Sequence, residues 1–153
     1  MFGYAKPILS PALPVTFSSV AEAVNQNGDI VGFAEPAPSN TGPGMSFLYQ
    51  NACSCSSYLP RPAGELNGTY EALAVNLKDQ IVGNIKDDVD QYVTAFLYTN
   101  GASYDLNDLI PANSGWKINS AIAINNAGDI VGSGDFVDSS GMFHGNETFE
   151  MKP

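Results

Sequence analysis

The chain has 153 residues, enough for one ordinary domain, and carries 14% charged residues with a net charge of −10. That balance excludes a nucleic-acid backbone or an anionic membrane surface as the main partner, since both need clustered Lys and Arg. No apolar run is long enough for a membrane span, and 15 Gly with 10 Pro break up long helices, which points to an all-β soluble domain.

The start, Met1 to Pro7, has no basic segment followed by an apolar one, so no signal peptide is read there. The chain is then either cytoplasmic or the mature form of an exported protein. Loops rich in Ser, Asn, Gly and Thr favour export, so the expected location is extracellular or the cell surface.

From residue 21 an internal repeat organises the chain. Ala21 to Gly32 (AEAVNQNGDIVG) returns as Ala72 to Gly83 (ALAVNLKDQIVG) and as Ala121 to Gly132 (AIAINNAGDIVG), at offsets of 51 and 49 residues. Each copy opens with alternating small and large residues, a strand with two distinct faces. A turn follows in which Gly28, Asp79 or Gly128 supplies a positive φ. The return strand holds a glycine (Gly32, Gly83, Gly132), the mark of a bulge or a close backbone approach.

A second block follows: Ser46-Phe47-Leu48-Tyr49, then Ala95-Phe96-Leu97-Tyr98, with Met142-Phe143-His144 as a degraded third copy. Phe47, Phe96 and Phe143 are therefore expected in the core. In repeat two the third strand, Thr94 to Thr99, turns at Asn100-Gly101 into a fourth near Ser103 to Leu106. The unit reads as a four-stranded antiparallel meander of about 50 residues.

The third copy has no room for a fourth strand after Met151, and the N-terminus supplies a candidate. Shifted by 100, Tyr4 falls on Tyr104, Leu9 on Leu109, Pro11 on Pro111 and Ala12 on Ala112. The whole chain, 1–153, is one repeat domain: an N-terminal strand at 1–12, repeat one at 20–66, repeat two at 70–112 and repeat three at 116–153.

These blocks resemble the HAF repeat, an extracellular repeat family of bacterial surface and secreted proteins. Ala121 to Gly132 carries the first block, and Ala95-Phe96-Leu97-Tyr98, Asn100-Gly101 and Asp105-Leu106 carry the rest. The resemblance covers residues 4 to 149 and implies β-propeller-like blades, with the N-terminal strand completing one of them. It departs at the family's histidine, which is replaced by Met45 and Thr94, so no role of that histidine transfers. The family brings no catalytic residues. Three blades do not close a ring, and a dimer of six blades would, so a homo-oligomer is expected. The alternative fold is a β-trefoil or β-prism.

The chemistry-bearing residues are few. Cys53 and Cys55 form a lone C-x-C without zinc spacing; on one strand they would share a face and bridge only with strain, so free thiols are expected. Asn67-Gly68-Thr69 and Asn146-Glu147-Thr148 fit the glycosylation sequon. Asp87-Asp88-Val89-Asp90 lacks the spacing of a calcium loop and reads as a solvated hairpin. His144, the single histidine, has no nucleophile motif around it. No metal, cofactor or catalytic residue is assigned. Trp116 follows Asn113-Ser114-Gly115 in the long connection before repeat three, where an exposed indole would stack on a sugar; the plainer alternative is an aromatic covering the core edge. Trp116, Asn113 and Tyr104 are the candidate ligand-binding residues. The expected function is a non-catalytic binding module for carbohydrate or a surface protein. The alternatives are a self-assembling subunit joined by strand exchange and a hydrolase using carboxylates.

Overall fold

The computed structural model describes residues 16–36, 42–64, 68–87 and 92–153. It is all-β: eleven strands and one short 3₁₀ turn, Leu106–Leu109, among the described residues. Strands β1 (Thr16–Val24), β2 (Ile30–Pro36), β3 (Met45–Gln50) and β4 (Cys55–Tyr58) form sheet one. Strands β5 (Thr69–Val75), β6 (Ile81–Lys86), β7 (Tyr92–Thr99) and β8 (Ala102–Asp105) form sheet two. Sheet three has three strands, β9 (Trp116–Ile124), β10 (Ile130–Val137) and β11 (Phe143–Met151), in the order β11-β10-β9. Every neighbouring pair is antiparallel. The sheets share no ladder, so the strands form no closed barrel among the described residues. The N-terminal strand expected at 1–12, the sequon Asn67 and the acids Asp88 and Asp90 lie outside the described residues.

Each sheet carries the same defect in the same place. Gly32 pairs with Ala21, Gly83 with Ala72 and Gly132 with Ala121, and directly beyond each pair the first strand holds one extra residue: Glu22, Leu73 or Ile122. A bulge bends its strand toward the partner backbone. A Cβ added to Gly32, Gly83 or Gly132 would lie far inside the contact distance to the Val20, Glu71 or Ser120 carbonyl oxygen. Only glycine fits there.

The three sheets stack in series, and the two joints between them are equivalent. Sheet two presents Ala72, Ile81 and Phe96 to Val31, Leu48 and Ala23 of sheet one. Its opposite face presents Ala74, Val82 and Leu97 to Ala121, Ile130 and Phe149 of sheet three. By register, Ile130 corresponds to Ile81, and Phe149, like Phe96 and Phe47, lies opposite the bulge glycine. The front of each sheet thus seats on the back of the one before it. Sheet one closes its own front with a small cluster of Ala34 and Phe47 flanked by Ile30 and Tyr58.

Two expectations are corrected. The third copy of the aromatic block is Thr148-Phe149-Glu150-Met151, since Phe149 pairs with Gly132; Phe143 pairs with Val137 and is 65% exposed. The β10–β11 turn lies farther along the chain than the offset from Gly132 implied. In this register Glu150 occupies the place of Leu48 and Leu97. The cysteines, expected free, are joined as a disulfide. Cys53 lies in the turn before β4, and Ser54 turns the chain at φ +52°, which brings the two Cα atoms to 5.2 Å.

Gly132→Ala is expected to lower stability by about 3 kcal/mol, because the new methyl must displace backbone rather than a flexible side chain. It should appear as a lower urea midpoint at an unchanged slope.

Candidate functional site

The turns between the first two strands of each repeat gather at one end of the stack. Asn25 Oδ1 accepts the N–H groups of Asn27 and Asp29, both at 2.9 Å; Asn76 Oδ1 accepts those of Lys78 and Gln80 at 2.9 and 3.1 Å. Asn125 does the same with Ala127, Gly128 and Asp129. The other end of the amide reaches across the joint. Asn25 Nδ2 donates to the Asn76 carbonyl at 3.1 Å, and Asn76 Nδ2 donates to the Asn125 carbonyl at 2.9 Å. One side chain therefore folds its own turn and ties it to the next sheet.

Asp29 is buried beside this ladder and accepts from Asn25 Nδ2 and the Asn51 N–H. Asp79, at φ +54°, replaces the turn glycine of the other copies. Burial, and after it the charge of Asp29, raises its carboxyl above the ordinary range. A second joint-forming group escaped the sequence reading. Asn107 donates to the Ile118 carbonyl at 3.0 Å and accepts the Ile118 N–H at 2.7 Å, acting as a side-chain rung between sheets two and three. It is held by Asp105 and Thr94, whose hydroxyl donates to Asp105 at 2.7 Å. Only the short spacing D-x-N after β8 hinted at it.

The structure does not assemble the predicted ligand residues into one site. Trp116 is half-buried, stacks on Phe136 at 4.9 Å and meets Phe149 edge-on at 6.2 Å, so much of its ring belongs to the core edge. Tyr104 is 43% exposed on β8, and Asn113 is exposed in the connection that follows. No hydrogen bond or ring contact links the three.

Two further features carry chemistry. Asp138 lies 3.2 Å from His144 Nε2 and accepts the Ser140 hydroxyl at 2.6 Å. A hydrolytic triad needs the imidazole between hydroxyl and carboxylate, whereas here the carboxylate is central. The Ser140 hydroxyl, then the Met142 N–H and His144, hold the Asp138 carboxyl far below the ordinary range. The second feature is an apolar cavity of about 230 Å³ at the turn end of the second joint, floored by Leu97, Ile124, Ile130 and Met151 and rimmed by Gln80 and Lys152. Met151 and Gly128, which line it, stand at the register of Tyr98 and Asp79 in the first joint. No group of three or more metal-ligating side chains occurs among the described residues.

Compared with models of protein families, with curated proteins and with solved structures, the chain matches none.

Two outcomes follow from this geometry. Because the folded-state value of Asp79 lies above its unfolded one, its contribution favours folding at low pH and is lost as pH rises through that folded value. Asp79→Asn, which keeps a residue tolerant of positive φ, should raise the urea midpoint at pH 7, with the gain shrinking as pH falls through the raised folded-state value and absent below the ordinary carboxylate range. Separately, Trp116→Ala should cost about 3 kcal/mol of stability by emptying a packed aromatic site, whereas Tyr104→Ala should leave the midpoint within about 0.5 kcal/mol of wild type.

Proposed function

We propose that the chain is a non-catalytic binding module of three blade-like units, similar to the HAF repeat and exposed to an extracellular or cell-surface environment. The observation that carries this reading is the contrast between constant and variable parts. The two joints bury equivalent apolar positions, while the connections at 37–44, 59–68, 87–91, 106–115 and 138–142 differ in residue type from copy to copy, the first of them also in length. A repeated scaffold with divergent connections is how repeat proteins vary what they bind. The central position of Asp138, between His144 and Ser140, supports a role without hydrolysis, and the disulfide supports an oxidising compartment. Carbohydrate is the ligand class proposed, with Tyr104 as its exposed aromatic and Asn113 as a nearby amide in sequence.

A second reading, self-assembly, is favoured by a different observation. Among the described residues β11 is an edge strand, in the position that β4 and β8 cover in sheets one and two. An open edge accepts another strand, and residues 1–12 of a second copy are the proposed occupant.

Both readings are tested on the full chain. Retention on an immobilised polysaccharide, lost in Tyr104→Ala, is the expected result for binding; release of reducing ends instead would make the protein a hydrolase. Light scattering across a range of concentrations should give a dimer that reverts to a folded monomer when residues 1–12 are deleted. A monomeric full-length chain would remove the assembly reading and leave the binding one intact.

A further inference from the structure

Repeats one and two close their last hairpin differently. In repeat two, β7 and β8 are joined by the two residues Asn100 and Gly101, with Thr99 paired to Ala102. In repeat one, β3 and β4 are joined by four residues, Asn51 to Ser54, with Gln50 paired to Cys55. The same sheet position is thus closed without cysteines in one copy. In the other it is extended by two residues, and the extension carries the disulfide Cys53–Cys55.

The bridge holds little together. It spans the single residue Ser54 and links no two distant elements, and loop-closure stabilisation is least for the shortest loops. The hairpin already has its own backbone closure, the Gln50–Cys55 pair and the Ser54 N–H donated to the Asn51 carbonyl at 3.3 Å. The turn is fixed to the stack by groups other than sulfur: the Asn51 N–H donates to Asp29, Asn51 Nδ2 to the Asn27 carbonyl at 2.9 Å, and Gln50 Nε2 to Asp79 at 3.5 Å. Asn51 through Cys55 are all exposed, so an incoming thiolate has access to both sulfurs. Ser54 sits at φ +52°, in the left-handed region that serine adopts at a cost.

We infer that Cys53–Cys55 is an exchangeable redox site, a thiol–disulfide exchange centre at a hairpin tip, and not a structural staple. Exposed disulfides of this kind are the labile ones. A thiolate attacks one sulfur, the S–S bond breaks, and the other cysteine leaves as a thiolate that takes a proton. A second thiol then resolves the mixed disulfide. The net change is one protein disulfide and two thiols giving one protein dithiol and one external disulfide, so the protein is reduced by two electrons and the thiols are oxidised. The reverse reaction reduces an external disulfide. The net charge of −10, with Asp29 and Asp79 at the same end of the stack, selects neutral or cationic thiols over anionic ones.

The test exposes the native protein to cysteamine and, separately, to mercaptoethanesulfonate at equal thiolate concentration, with protein thiols counted by mass. The expected result is no free thiol at the start and two after reduction, several-fold faster with cysteamine at low salt. The far-UV spectrum and the urea midpoint should be unchanged. The Cys53→Ser/Cys55→Ser double variant should fold with the wild-type midpoint. Free thiols at the start, a bridge inert to millimolar thiol, or a midpoint that falls on reduction or in the double variant would each overturn the inference. Equal rates with the two thiols would overturn the charge selection.

Discussion

The arrangement depends on one side-chain amide per repeat. A turn that leaves its backbone N–H groups unpaired needs an acceptor, and two sheets stacked face to face need a donor that crosses between them. Asparagine supplies both from a single short side chain, with Oδ1 turned inward to its own loop and Nδ2 outward to the next carbonyl. Aspartate would accept without donating, and glutamine would overreach the loop. Once Asn25 and Asn76 fix the offset between successive sheets, the rest of the joint is apolar fitting. The bulge glycine admits the first strand, and an aromatic or aliphatic front lies on a valine and leucine back.

Much of this was legible in the sequence because local steric rules fix it. Gly32, Gly83 and Gly132 declared a close approach, Asn100-Gly101 declared a hairpin, and three copies of one block declared three sheets. What failed depends on distance along the chain being a poor guide to distance in space. Phe143 looked like the partner of Phe47 and Phe96 because it has the right neighbours in sequence, but the β10–β11 turn shifts the register and gives that place to Phe149. Cys53 and Cys55 looked able to bridge only with strain because both were placed on a strand; one turn residue with positive φ removes that obstacle. Asn107 left no more than the D-x-N spacing as a trace, because its partner, the Ile118 backbone, has no side-chain signature.

The candidate site was less legible than the fold for a related reason. Trp116 is rare in the chain and sits in a long connection, which suggests a ligand, yet its ring is placed by Phe136 and Phe149. Met151 and Gly128 line the cavity and look unremarkable one at a time; they differ from Tyr98 and Asp79 at the equivalent register. Internal repeats supply their own control: a difference between copies shows where the common scaffold has been put to separate use.

Glu150 shows what the repeat logic itself requires. A front-on-back contact is heterologous and has no built-in stopping point, so copies that offered both faces would polymerise. Leucine at positions 48 and 97 invites the next sheet, while a carboxylate at 150, paired with Lys152 at 3.5 Å, would have to shed its water to admit one. At this one register, leucine or a carboxylate decides whether the back of a sheet is an apolar seat or a hydrated face.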